Sequence, residues 1–155
     1  MFALCEAGAK APPEISWEFL DGLLAGCDFE KAIVLHSGHF AQFVAGNPHI
    51  VTDGEMSALR HIKTEQFASE DLCPALEAPN VIDGIPAAIL SHCQMLQKPA
   101  VLYTCVQSET EAGVEMMRQW DPVLKQIGLT APAEDVVYEK AVGAMLANSG
   151  LMVYT

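Results

Sequence analysis

The chain has 155 residues, about the length of one domain. Apolar residues make up 51% and charged residues 18%, a balance that builds a core and excludes a disordered chain. Eight basic against 20 acidic side chains give a formal charge of −12, which argues against nucleic acid and anionic membranes as partners.

The acids are spread evenly, with six in residues 1–50, seven in 51–105 and seven in 106–155, so the charge reads as a solvated surface. The five cysteines, Cys5, Cys27, Cys73, Cys93 and Cys105, are odd in number and contain no C-x-x-C pair. That argues against a disulfide scaffold or a zinc knuckle. Free thiols point to a reducing compartment, so the expected location is the cytoplasm, with the nucleus as a further one. No apolar run reaches the ~18–20 residues of a membrane helix, and the N-terminus lacks a basic leader.

In chain order, residues 1–6 are a short apolar run that fits a strand, and Pro12 and Pro13 break it. Ile15, Phe19, Leu20, Leu23 and Leu24 recur at helical spacing, with Gly26 as the stop. Lys31 to Ser37 is a continuous apolar run, the pattern of a strand buried on both faces of a parallel sheet. Residues 38–54 read as a long connection rich in turn signals. Met56–Lys63 fits either a short strand or a helical turn, and Glu65–Glu77 reads as a loop with a short helical piece.

Asp83-Gly84 turns the chain, Pro86 opens a helix that runs to Leu96, and Pro99 stops it. Ala100–Val106 is a second buried-strand run, so helix and strand form one half of a βαβ unit. Thr110–Ile127 is a helix interrupted at Pro122, near Trp120, and ended by Gly128. A last helix runs from Glu134 to about Ala147, with Glu134 and Asp135 favouring its N-terminal dipole. The fold class expected is α/β, a three-layer helix/sheet/helix arrangement with a mostly parallel sheet. Residues 1–150 form one domain, and 151–155 form a C-terminal docking tail. From Ala141 to Thr155 there is no charged side chain, so Leu151–Thr155 is an apolar-aromatic tail that carries the terminal carboxylate of this sequence. It fits either an edge strand or a docking peptide.

Few constellations carry chemistry. His36-Ser37-Gly38-His39 lies at the end of a predicted strand, where α/β proteins place their sites, with His49 and His61 nearby in sequence. No cysteine is spaced to complete a metal set, so polar loop histidines are the simpler reading. His92 and Cys93 are adjacent on a predicted helix and point about 100° apart, which rules out a hydrogen-bonded dyad. Cys93 and Cys105 read as buried, inert thiols. Met116, Met117, Met152, Trp17 and Trp120 read as packing residues. No dinucleotide loop, Walker loop or nucleophile elbow is present, so neither catalytic residues nor a cofactor is expected.

Three stretches resemble the proteasome assembly chaperone 1 family. They are Leu76–Ile82, then Ile85–Gln94 continuing through Lys98–Cys105, and finally Val153-Tyr154-Thr155. Weaker similarity covers Trp17–Lys63, including Lys31–His36 and Arg60–Lys63. The resemblance implies a non-catalytic chaperone that promotes assembly of the proteasome α-ring. It implies that Val153, Tyr154 and Thr155 insert, as a hydrophobic–Tyr–any motif, into a pocket between α subunits. It also implies a heterodimer with proteasome assembly chaperone 2, and a sheet that is incomplete on its N-terminal side. Val106–Glu109 departs from the family pattern. The rival reading is a small α/β enzyme of hydrolase or nucleoside-phosphorylase type with its site near His36 and His39.

Overall fold

A computed structural model of the chain describes residues 17, 18, 20, 22, 28–39, 43, 44, 57–107 and 118–128. Its elements, in order, are β1 (Ala32–His39), β2 (Ser57–Lys63), α1 (Gly84–Met95), β3 (Ala100–Gln107) and α2 (Asp121–Gln126). The α/β class is therefore present. The three strands form one sheet in the order β1-β3-β2.

The sheet is mixed, which corrects the expectation of a mostly parallel one. The Ala32 amide donates to the Pro99 carbonyl at 3.0 Å, setting the starts of β1 and β3 side by side in the same direction. The Thr64 amide, just past the end of β2, donates to the Ala100 carbonyl at 2.9 Å. β2 therefore runs against β3. Apolar content alone does not encode strand direction, because a central strand covered on both faces is apolar in either sense.

β3 is that central strand. Ala100, Val101, Leu102, Tyr103, Thr104, Cys105 and Val106 are all buried. β1 has the same apolar pattern but lies at an edge of the described sheet, and Leu35 on it is 46% exposed. The expectation that β1 is buried on both faces is thus overturned by its position. The ambiguity over Met56–Lys63 resolves as a strand. The helical piece expected within Glu65–Glu77 is absent: the chain makes a turn at 65–66 and then runs without helix to an isolated bridge at Ala75.

α1 begins two residues earlier than Pro86 alone suggests, at Gly84, and buries Ala88 and Cys93. Its end is a Schellman closure. The Lys98 amide donates to the Cys93 carbonyl at 2.8 Å and the Gln97 amide to the Gln94 carbonyl at 3.2 Å. Gln97 takes the left-handed conformation, φ 53°, that the closure requires. α2 begins at Asp121 with Pro122 in its first turn, where the missing N–H costs nothing. Gly128, φ 77°, follows its last turn as expected. Residues 110–117 of the longer predicted helix lie outside the described residues, as do the predicted strand at 1–6 and helix at 134–147. Trp17, Glu18, Leu20 and Gly22 are helical.

By internal contacts the chain divides into two compact units. The first holds residues 1–36, 62–70 and 81–102. Its buried side chains include Leu20, Phe67, Cys93 and Leu102. Thr64 ties it together: its hydroxyl donates to the Lys98 carbonyl at 3.1 Å and accepts the Ala100 amide at 2.9 Å. Trp17 is 43% exposed and meets His92 with ring centroids 6.4 Å apart, so it does not fill the core as expected. The second unit holds residues 37–61, 71–80 and 103–155. In it Val123 of α2 is fully buried, and the Tyr103 hydroxyl donates to Gln126 Oε1 at 2.8 Å.

Candidate functional site

The site residues expected from sequence, Val153, Tyr154 and Thr155, lie outside the described residues, and so does His49. His36 lies in β1 and is partly buried. Burial pushes its pKa below the usual histidine value, with the Asp83 carboxylate acting in the opposite direction. His39 ends the same strand. Among the described residues, no group of three or more His, Cys, Asp or Glu side chains comes together as a metal set. Among the same residues, no helix is long and apolar enough to cross a membrane.

The thiols behave as their burial dictates. Cys105 is pushed up to about 11 by burial. Cys73 is likewise pushed up to about 11 by burial, against the pull of the Arg60 charge. Cys93 is raised by burial, partly offset by Lys98. A thiol held protonated at neutral pH is a poor nucleophile.

The most organised polar arrangement in the second unit was not anticipated. It grows from two adjacent β2 residues, Arg60 and His61, both buried. The His61 amide donates to the Pro74 carbonyl at 3.0 Å, and the Leu76 amide donates to the His61 carbonyl at 2.8 Å. Residues 71–80 thereby lie along β2 as a strap with a single parallel bridge, His61 to Ala75. Side chains fasten what the backbone holds at one point. The Arg60 Nε–H is shared by both carboxylate oxygens of Glu77, at 3.0 and 2.9 Å. Its Nη1 donates to the Leu59 carbonyl at 2.9 Å, while its Nη2 is buried without a hydrogen-bond partner. His61 Nδ1 lies 2.8 Å from the Cys73 carbonyl oxygen, and Nε2 lies 3.5 Å from Asp71 Oδ1.

The strap ends in a turn at Ala78-Pro79, followed by Asn80. The Asn80 side-chain amide imitates a neighbouring strand. Its Oδ1 accepts the Val44 amide and its Nδ2 donates to the Val44 carbonyl, both at 2.8 Å. Nδ2 also donates to the Glu77 carbonyl at 2.7 Å. The Phe43 ring, one residue away, lies 5.5 Å from the Arg60 guanidinium carbon, within cation–π range. Arg60 appeared in the sequence only as part of a weak similarity. Its partner is 17 positions away, so no helical or strand spacing could pair the two.

The sequence block with the strongest resemblance maps onto the scaffold. Leu76–Ile82 closes the strap, Ile85–Gln94 is α1, and Lys98–Cys105 leads into and forms most of β3. Large apolar side chains left exposed nearby are Val81 (84%), Met95 (75%) and Leu96 (53%) in the first unit.

Comparison with known proteins fixes the lineage. A family model described as proteasome assembly chaperone 4 matches residues 27–146. Among curated proteins, proteasome assembly chaperone 1 of Xenopus laevis is 39% identical over 77 residues, covering 50% of this chain and 27% of that protein. Proteasome assembly chaperone 1 of Homo sapiens is 24% identical over 137 residues, covering 86% of this chain and 46% of that protein. The chain thus spans less than half the length of these relatives. A crystal structure of a protein of unknown function from Thermoplasma acidophilum superposes with a TM-score of 0.61 at 14% identity. It covers 88% of this chain and 54% of that one, and shares the fold. The family is one of non-catalytic assembly chaperones, so the enzyme reading centred on His36 and His39 is set aside on that ground. With its family model matched over residues 27–146, the chain belongs to the proteasome assembly chaperone family.

Proposed function

We propose that the chain is an assembly chaperone for the proteasome α-ring, acting as a heterodimer with a sister chaperone, proteasome assembly chaperone 2. The family match over residues 27–146 carries this reading. In it, residues 1–150 form one α/β domain with helices on both faces of the sheet. Leu151–Thr155 is a docking tail, and the protein works in the cytoplasm, with the nucleus as a further location.

The tail has the chemistry for docking. A terminal carboxylate can be captured by a lysine at a pocket floor, a charge-assisted bond of roughly 1.5–3 kcal/mol. Tyr154 offers a large apolar surface and a hydroxyl at low entropy cost. Ordering each backbone residue costs about 1–2 kcal/mol, so five residues alone bind weakly. The tail therefore acts as a second contact, tethered to a domain that already touches the α subunits. While docked, it blocks the same pocket against activators with similar tails. The test is a pull-down of α subunits with the intact chain and with Val153–Thr155 deleted. Weaker capture after deletion supports the tail mechanism, and equal capture removes it while leaving the chaperone reading standing.

A further inference from the structure

The contacts around Arg60 close on themselves. Arg60 holds the Glu77 carboxylate, the Glu77 carbonyl accepts from Asn80, Asn80 holds the Val44 backbone, and Phe43 returns to the Arg60 guanidinium. One link joins the strap to β2, one joins it to Val44, one lies within the strap, and one joins Phe43 to β2. Against β2 the strap itself has one bridge, and Asp71, Leu72, Pro74, Ala75, Ala78 and Pro79 along it are exposed. A segment with few buried apolar groups and one backbone bridge opens at a lower free energy than the core.

We propose that the 71–80 strap and the Phe43–Val44 segment form one cooperative element that opens and closes as a unit, with the Arg60–Glu77 pair as its catch. In a closed circuit of contacts, loss of any one link destabilises the closed state of the whole, so both segments respond to either end. Opening releases the His61 amide and carbonyl from Pro74 and Leu76, baring one donor and one acceptor on the outer side of β2. The element is thus a conformational device at an edge of the described sheet.

The test is amide hydrogen exchange on the full-length chain and on two variants that keep side-chain size or sit near the surface, Glu77→Gln and Asn80→Ala. The reporters are the Leu76 amide for the strap and the Val44 amide for the other segment, with the Thr64 amide as the control. Each variant is expected to speed both reporters by a similar factor, on the order of tenfold. Thr64, reached only by unfolding the core, should stay slower than both reporters in every variant. The proposal is overturned if each variant speeds only its nearer reporter, if neither reporter responds, or if Thr64 exchanges as fast as they do, since that is global unfolding.

Discussion

Glu77 holds Arg60 through a single shared N–H: both carboxylate oxygens lie within 3.0 Å of Nε, and Nη2 is left buried without a partner. The arrangement neutralises a charge whose side chain is 5% exposed, using a carboxylate that is 24% exposed. Removing the carboxylate leaves the guanidinium buried and uncompensated, the costly way to break such a pair. Glu77→Ala is expected to lose about 2–3 kcal/mol, read as a lower urea midpoint with an unchanged slope. Asp28→Ala is the contrast. Asp28 meets Lys98 at 3.9 Å but is fully exposed, so its loss should leave the midpoint unmoved.

Thr64 contributes through its hydroxyl, because it accepts the buried Ala100 amide and donates to two carbonyls. Thr64→Val keeps the shape and removes all three bonds. The expected loss is about 1–3 kcal/mol, since the Ala100 amide then lacks its acceptor. An unchanged thermal midpoint would show that this lock is dispensable.

Gln97 occupies the left-handed position after α1 that glycine ordinarily takes. Gln97→Gly should therefore stabilise the protein by roughly 0.5–1 kcal/mol, seen as a higher thermal midpoint. A fall would mean that the Gln97 side chain contributes more than its backbone strain costs.

The buried Cys105 and the half-buried Cys73 set a pH dependence. Cys73 and Cys105 have folded pKa values raised to about 11, above the 9.0 of an unperturbed thiol. In the unfolded chain these thiols lose their protons first. Their contribution to stability is therefore complete below pH 9 and is lost as the pH rises toward 11. His36 acts at the other end. Its lowered pKa means that the unfolded chain takes up the proton first, so stability falls as the pH drops below 6.5. Urea midpoints across pH 5 to 10.5 should show both declines, and Cys105→Ala should flatten the alkaline one. Thiol reagents at pH 7 should modify Cys93 and Cys105 only after unfolding.

Much of the scaffold was legible in the sequence, for local reasons. Pro86 and Pro99 bracket α1, Gly128 closes α2, and an unbroken apolar run marks β3. What stayed hidden depends on partners far along the chain. Leu35 and Val101 sit in similar apolar runs, yet one strand is at an edge of the described sheet and the other is central. The direction of β2 is fixed by Thr64 meeting Ala100, 36 positions away. The strap escaped notice because its anchors, Arg60 with Glu77 and Asn80 with Val44, follow no periodic spacing. The tail was conspicuous for the opposite reason: the absence of charge from Ala141 to Thr155 is visible in composition alone.

The chaperone assignment is tested most directly by affinity purification of the tagged full-length chain from cells, with mass spectrometry of what it retains. The account predicts recovery of proteasome α subunits together with a sister chaperone, and little mature proteasome. Recovery of the chain without any α subunit, under conditions where the sister chaperone is retained, would contradict it.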